Sequence, residues 1–190
     1  MGWQTRGTRT TYENAWIRVR EDEVIRPDGT DGLYGVVEVL APAVFVVPVT
    51  DAGEVVMVTV ERYALGRPSL EIPAGGADVT DLEPGSPPLL TAARRELREE
   101  TGLAADEWVD LGPVFSLNGV AHAPGQVFLA TGLHPVGGAE AEVEGITECR
   151  AVPFDELSTL IVDGTITDNE TLGALLKAFV ALGSGLPGPG

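Results

Sequence analysis

Three glutamates near the middle of the chain have the spacing of a metal site. Glu96 and Glu100 are four residues apart, and Glu99 lies three residues after Glu96, so a helix would bring the three side chains close to one face. Three carboxylates at the C-terminal end of a helix repel one another and oppose the helix dipole. A divalent cation removes this penalty, and Mg²⁺ prefers oxygen ligands. The spacing therefore favours a magnesium site over the alternative of a solvated acidic helix face.

The residues around these glutamates resemble a known motif. The segment from Arg95 to Leu103 reads Arg-Glu-apolar-x-Glu-Glu-x-Gly-apolar, as in the core of the Nudix box, and Glu71 to Gly76 is similar to the Glu-x-Pro-Ala-Gly stretch of ADP-ribose pyrophosphatases. The resemblance extends over about residues 10–182. It implies an α/β fold, a Nudix-type α/β/α sandwich with a mixed sheet and an N-terminal β extension. It also implies an enzyme that cleaves the pyrophosphate bond of a nucleoside diphosphate derivative, with ADP-ribose as the expected substrate.

The same resemblance implies roles for individual residues. The backbone carbonyl of Ala74 and the side chains of Glu96 and Glu100 would ligate the metal, and Glu99 would join them or orient a water molecule. Magnesium is the expected ion, with manganese as the alternative. Arg62 lies in a segment similar to the family's strand-to-loop segment, whose arginine approaches the substrate, and it is expected to hold the diphosphate.

Hydrolysis also requires a general base that activates water. The loop from Gly137 to Gly145 carries Glu140, Glu142 and Glu144 between two predicted strands. The resemblance implies that the base comes from this loop, where Glu144 aligns best and Glu142 is the alternative. If neither acts as the base, Glu99 is the next candidate.

One position departs from the family pattern. Pro87 stands where the Nudix box has its first glutamate, and the preceding loop is longer than the pattern allows. Asp78, Asp81 and Glu83 lie in this loop, and one of them could replace that glutamate sterically. In the family the first glutamate supports the loop and does not bind metal. We therefore expect metal binding to remain intact and each of the three loop carboxylates to be individually dispensable for it.

Apolar periodicity and turn residues predict the elements that position these groups. The predicted boundaries are a flexible N-terminus over residues 1–9, a β extension over 10–40, the hydrolase domain over 41–182 and a disordered tail over 183–190. The pattern predicts one helix that begins at Ser86 and Pro87 and ends at Gly102, and a last helix that ends at Gly183. Strands are predicted over 16–24, 34–40, 44–49, 55–60, 108–117, 126–133 and 146–153. The first two are expected to form a hairpin, and those over 44–49 and 55–60 are expected to form a second pair.

The N-terminal extension suggests a second subunit. In the related pyrophosphatases such a sheet exchanges between subunits of a dimer, with aromatic residues near the adenine. Trp16 and Tyr34 could provide these stacking surfaces here. We predict a homodimer, because soluble oligomers are most often symmetric dimers. Packing of the extension within one chain is the alternative.

The amino-acid composition indicates which kinds of partner the protein can bind. The 190 residues include 12 basic and 29 acidic side chains, which give a net charge of −17. Such a surface repels nucleic-acid backbones and anionic membranes, so a small phosphorylated substrate bound through a cation is expected instead. A lone cysteine, Cys149, cannot form an internal disulfide and is expected to be buried. Neither a signal peptide nor a spanning apolar run is evident, which favours a cytoplasmic protein.

Two other functions remain open from the sequence. The substrate could be a nucleotide sugar or a dinucleotide, which would leave the chemistry unchanged. Alternatively, the chain could be a catalytically weak Nudix domain that senses a nucleotide, as the missing glutamate suggests. Retention of three mutually repelling carboxylates argues against a pure sensor, because binding alone does not require them.

Overall fold

The computed structural model describes residues 2–78, 81, 88–140, 142–143 and 145–183. They form two compact units, one comprising residues 1–42 and 115–125 and the other residues 43–114 and those from 126 onward. In chain order the elements are β1 (Gln4–Glu13), β2 (Ile17–Ile25), β3 (Asp31–Val39), β4 (Ala43–Pro48), β5 (Glu54–Arg62), β6 (Arg67–Glu71), β7 (Ala74–Gly76), α1 (Pro88–Thr101), β8 (Leu103–Phe115), β9 (Ala121–His122), β10 (Pro124–Pro135), β11 (Ile146–Pro153), α2 (Phe154–Val162) and α3 (Asn169–Ala181).

The first unit is a four-stranded sheet with the order β1-β2-β3-β9. The predicted hairpin is present as β2 and β3, which pair antiparallel from Ile17↔Val39 to Ile25↔Asp31. The prediction of a flexible terminus over residues 1–9 is wrong from Gln4 onward, because β1 pairs with β2 along its whole length. This strand lacks the apolar alternation that reveals a half-buried strand, and its residues are almost all exposed. The threonines within it favour extended backbone without giving that signal.

The second unit contains two sheets with the orders β7-β4-β10-β8 and β11-β5-β6. Strand β4 is buried on both faces, as its continuous apolar run predicts. Its alternate residues enter two separate cores: Phe45 and Val47 belong to one, and Val44 and Val46 to the other. Strand β10 divides its side chains between the same two cores.

Helices cover both faces of this layer. Ala92, Ala93 and Leu97 of α1 are completely buried in one core. The core on the other face contains Leu157 of α2 and Leu175 of α3, which are also buried. The predicted α/β/α arrangement is therefore confirmed for this unit.

Several local expectations were incomplete or wrong. Strands β6 and β7 and helix α2 were not predicted. Strands β4 and β5, which the sequence suggested as a pair, belong to different sheets and meet through one antiparallel bridge between Val49 and Val55. The thiol of Cys149 is exposed on β11 rather than buried. The N-terminal unit also includes residues 115–125, which the sequence assigned to the hydrolase domain.

Ser86, Pro87 and the tail after Gly183 lie outside the described residues. Among the helices of the described part of the chain, none has the length and apolarity needed to cross a membrane.

Candidate active site

Helix α1 places two carboxylates in the interior of the second unit. The helix ends as predicted at Gly102, whose φ of 70° permits the left-handed conformation and whose N–H donates to the carbonyl of Arg98. Glu96 and Glu100 are each only 6% exposed. Two buried carboxylates one helical turn apart are costly unless cations or hydrogen-bond donors compensate them.

Strand β7 lies directly against these carboxylates. The backbone N–H of Ala74 donates to Oε2 of Glu100 over 3.1 Å. At Gly75 a Cβ atom would collide with the carboxylate of Glu96, so only glycine allows this approach. Ala74, Glu96 and Glu100, three of the residues expected to bind metal, are thus brought together by β7 and α1.

Arg95 links the loop before α1 to the same carboxylates. Its guanidinium donates to both carboxylate oxygens of Asp81 over 3.1 and 3.2 Å and to the carbonyl of Gly76 over 2.8 Å. It also forms ion pairs with Glu96 at 2.9 Å and Glu99 at 3.0 Å. The hydrogen bond to Asp81 raises the pKa of Arg95 above its usual value.

Asp81 supplies a buried carboxylate from the loop before α1. Its side chain is 3% exposed and also accepts a 2.6 Å hydrogen bond from the backbone N–H of Asp78. Burial acts to raise the pKa of Asp81, but the hydrogen bonds from Arg95 and Asp78 outweigh it and hold the pKa below its usual range. Asp81 therefore ties its loop to Arg95 on helix α1. Glu83, the third loop candidate, lies outside the described residues.

Arginine side chains pair with the carboxylates of helix α1. Glu99 accepts hydrogen bonds from Arg95 at 3.0 Å and from Arg98 at 2.9 Å. The carboxylate of Glu100 interacts electrostatically with Arg62.

Within the described ranges, no three His, Cys, Asp or Glu side chains are already clustered as ready metal ligands. The donor set nevertheless fits a hard cation, because it combines buried carboxylates with an adjacent strand backbone. The arginines now paired with Glu96 and Glu99 occupy carboxylate oxygens that a cation would use.

The acidic loop that was expected to supply the base is attached to the end of α1. The backbone N–H of Glu140 donates to the carbonyl of Glu99 over 2.7 Å. At its other end the carbonyl of Gly145 accepts from the N–H of Glu61 on β5. Glu142 is exposed on this loop, and Glu144, the first choice for the base, lies outside the described residues. The loop is thus adjacent to the box helix, whereas the identity of the base stays a prediction.

A pocket of about 370 Å³ adjoins Ala74. Arg62 lines it and forms a bidentate salt bridge with Glu71, with N–O distances of 3.0 and 2.6 Å. Glu71 raises the pKa of Arg62 above its usual value. Because Glu71 is 7% exposed and Arg62 is 43% exposed, the buried carboxylate fixes the direction of a guanidinium that still reaches solvent.

The N-terminal end of helix α3 also lines this pocket. Asp168 caps the helix by accepting from the N–H of Thr171 over 2.7 Å, and Glu170 lies beside it in the lining. Burial raises the pKa of Asp168, and hydrogen bonding with Glu170 raises it further. The sequence suggested Asp81 as one of three loop carboxylates that could replace the first box glutamate. It assigned no pairing role to Glu71 and no place in this pocket to Asp168. A glutamate between the buried residues Leu70 and Ile72 was the available signal for Glu71.

The two aromatic residues that were expected near the adenine, Trp16 and Tyr34, belong to the N-terminal unit. Trp16 is 74% exposed at the turn between β1 and β2. Tyr34 is half-buried, donates its hydroxyl hydrogen to the carbonyl of Gly119 and packs edge-on against Trp3 at a centroid distance of 5.2 Å. Trp16 therefore presents a free aromatic surface, whereas Tyr34 is already engaged within its own unit.

Comparison with known families decides the assignment. The NUDIX domain model matches residues 39–172, which is more than two thirds of the chain. The chain belongs to the NUDIX family. Residues 3–37 of this Nudix protein also match the nucleoside diphosphate sugar hydrolase N-terminal domain. The predicted family is thus confirmed, and with it a pyrophosphohydrolase of a class that uses divalent metal ions.

Individual relatives agree with this assignment. The Nudix protein is 35% identical to an ADP-ribose pyrophosphatase of Mycobacterium tuberculosis, over 98% of this chain and 88% of the relative. It is 34% identical to an ADP-ribose pyrophosphatase of Bacillus subtilis, over 70% of this chain and 69% of the relative. The crystal structure of an ADP compounds hydrolase superposes with a TM-score of 0.80 over 97% of each chain at 18% identity, which confirms the fold.

Proposed function

We propose that this Nudix hydrolase cleaves ADP-ribose to AMP and ribose 5-phosphate with Mg²⁺. The observation that carries the proposal is the contact of strand β7 with the buried Glu96 and Glu100 beside the pocket that contains Arg62. Hydrolysis of a diphosphate requires cationic groups where negative charge increases on its oxygens. The similarity to two ADP-ribose pyrophosphatases supports the choice of substrate.

The metal would be held by the carbonyl of Ala74 and the carboxylates of Glu96 and Glu100, with Glu99 as a further ligand or as the group that orients a water molecule. When bound, Mg²⁺ supplies Lewis-acid polarisation of the diphosphate and neutralises charge that develops on it. Manganese is the alternative ion, since it shares the preference for oxygen ligands.

The remaining steps belong to the protein's own side chains. Arg62, oriented by Glu71, donates hydrogen bonds to the diphosphate as negative charge increases on its oxygens. A carboxylate of the loop from Gly137 to Gly145, Glu144 or else Glu142, accepts the proton of the attacking water. The hydrogen bond from Glu140 to the carbonyl of Glu99 keeps this loop next to the box helix.

A homodimer and a cytoplasmic location complete the proposal. The N-terminal unit exposes Trp3, Tyr12 and Trp16, each more than half exposed. Aromatic side chains are common at protein interfaces, which supports a role for this sheet in dimerisation. The molar mass in solution by light scattering tests the dimer: a value near 40 kDa, about twice the 19.9 kDa of the chain, is expected, and a monomeric value would contradict it.

A second substrate class has its own support. The chain is 30% identical to a hydrolase of a CMP-linked phosphonate from Streptomyces rubellomurinus, over the whole of this chain and 88% of the relative. A panel of ADP-ribose, nucleotide sugars, dinucleotides and CMP-linked esters, assayed by phosphate release with a coupled phosphatase, separates the two. We expect the highest kcat/KM for ADP-ribose. A higher value for a cytidine compound would replace the substrate and retain the chemistry.

A further inference from the structure

A second pocket lies on another face of the box helix. Its volume is about 440 Å³, and four of its lining residues belong to α1: Thr91, Arg94, Arg95 and Arg98. The spacing of three, one and three residues puts these side chains on one stripe of the helix. The start of β8 and Val136 complete the lining with apolar surface, from Ala104, Ala105 and Trp108.

The charged side chains that line this pocket are positive, whereas the chain as a whole is negative. Three of the twelve basic residues line it, although the net charge of the protein is −17. Arg94 has no carboxylate partner among the described residues, and its guanidinium lies 5.9 Å from the centre of the Trp108 ring. Arg98 is 47% exposed and uses one nitrogen for its hydrogen bond to Glu99. Two guanidiniums therefore retain donors for an anion.

A hydroxyl group in the same pocket also lacks a partner. Oγ1 of Thr91 is buried, and within the described part of the chain it neither donates nor accepts a hydrogen bond. A buried hydroxyl without a hydrogen-bond partner is unfavourable, and a ligand oxygen at this position would remove that penalty. Such a ligand would meet cationic donors and a hydroxyl at one side and the apolar wall of Trp108 at the other.

We propose that this pocket binds a phosphomonoester that carries a planar or apolar group. A phosphate dianion matches the forked donors of Arg94 and Arg98, and the attached group packs against Trp108. The volume lies within the range of small-molecule sites, roughly 300–1,000 Å³.

Occupancy of this pocket is linked to the metal site through Arg98. A phosphate that takes the guanidinium of Arg98 removes a donor from Oε1 of Glu99 and frees that carboxylate to face a cation. The ligand therefore tightens Mg²⁺ binding, and by thermodynamic reciprocity Mg²⁺ tightens binding of the ligand. This linkage rests on the proposed function, whereas binding of the phosphomonoester does not.

The test uses the indole resonances of the full-length protein. Its three tryptophans are Trp3, Trp16 and Trp108, of which only Trp108 lines this pocket. The ¹⁵N-labelled indole signals are followed without metal during titration with AMP, ribose 5-phosphate, inorganic phosphate or adenosine. We expect the phosphates to shift the Trp108 signal, AMP at the lowest concentration, and adenosine to leave it unchanged.

Arg94→Gln and Arg150→Gln form a matched pair, because each removes one positive charge and Arg150 lines a different pocket. Arg94→Gln should weaken AMP binding by about 10- to 100-fold, the equivalent of one charge-assisted hydrogen bond, while Arg150→Gln should leave it unchanged. Equal affinities in the two variants, or no shift of Trp108, would overturn the site.

A Mg²⁺ titration at an AMP concentration that saturates the wild type but not Arg94→Gln tests the linkage separately. Compared with the titration without AMP, the midpoint should move to a lower Mg²⁺ concentration in the wild type and stay constant in Arg94→Gln. A constant midpoint in both proteins would overturn the linkage and leave the site standing. A shift of Trp108 in a protein that does not hydrolyse ADP-ribose would retain the site and refute the proposed function.

Discussion

Replacement of Asp81 tests the proposal that this carboxylate takes over the structural role of the missing box glutamate. The Asp81 carboxylate is 3% exposed and receives two hydrogen bonds from Arg95 and one from the backbone N–H of Asp78. Asp81→Ala leaves the guanidinium of Arg95 without this partner and the N–H of Asp78 without an acceptor. We expect the loop to detach from α1 while the carboxylates on the helix itself remain.

The magnitude follows from the burial of the two groups. Removal of one member of a buried ion pair costs about 3–5 kcal/mol. Arg95 is 27% exposed, so water replaces part of the lost interaction, and we expect the free energy of unfolding to fall by about 2–3 kcal/mol. For a domain of this size that loss lowers Tm by about 4–12 °C. Asp81→Asn, which keeps the shape and loses the charge, should lower the stability by a smaller amount.

Urea unfolding of Asp81→Ala, Asp81→Asn and Asp78→Ala measures this effect. Asp78→Ala is the control, because the side chain of Asp78 is exposed and its backbone N–H is retained. If Asp81→Ala is no less stable than Asp78→Ala, Asp81 does not support the loop. The Mg²⁺ affinity of all three variants should stay near the wild-type value, since Asp81 contacts Arg95 and not the expected ligand oxygens.

The pH dependence of the stability difference between wild type and Asp81→Asn gives a second test of the role of Asp81. The pKa of Asp81 is lowered in the folded protein, so its stabilising effect is complete above the unfolded pKa of about 3.9. It is lost as the pH falls through the folded pKa below that value. The stability difference between wild type and Asp81→Asn should therefore be constant from pH 5 to 7 and narrow below pH 4. A difference that grows on acidification would contradict this reasoning.

Three further predictions concern the active site. Glu96→Gln and Glu100→Gln should each lower kcat by orders of magnitude with the fold retained by circular dichroism, because each loses an anionic ligand for a hard cation; full activity at saturating substrate and Mg²⁺ would refute the assignment. Glu144→Gln should lower kcat by about 10²- to 10⁴-fold with little change in KM, and a larger loss in Glu142→Gln would move the role of base to that residue. Gly75→Ala should lose activity because its methyl group displaces the Glu96 carboxylate, whereas Gly173→Ala, where a Cβ meets no atom within 4 Å, should retain it.

The sequence predicted those parts of the fold that have strong periodicity or local turn signals. Helix α1 ends at Gly102, and β4 is buried on both faces, because each property depends on a few neighbouring residues. Strand β1 was missed because pairing with β2, and not a buried face, holds it in place. Short strands such as β7 have no period to detect, since three residues cannot show one.

The site was predictable as far as the motif extended. Glu96, Glu100 and Ala74 were expected to lie together, and the hydrogen bond between Ala74 and Glu100 brings the two segments into contact. The partners of the arginines were not predictable, because the sequence does not fix the path of the chain between Arg62 and Glu71 or between Asp81 and Arg95. Spacing along the chain gives no distance between such residues.

Hydrolysis of ADP-ribose by the purified protein, with AMP and ribose 5-phosphate both quantified over time, tests the central claim most directly. The proposal predicts that the two products appear in equal amounts, that chelation of Mg²⁺ stops the reaction, and that Glu100→Gln forms both products orders of magnitude more slowly. Failure of the wild-type protein with Mg²⁺ to release AMP, or equal rates in wild type and Glu100→Gln, would contradict it.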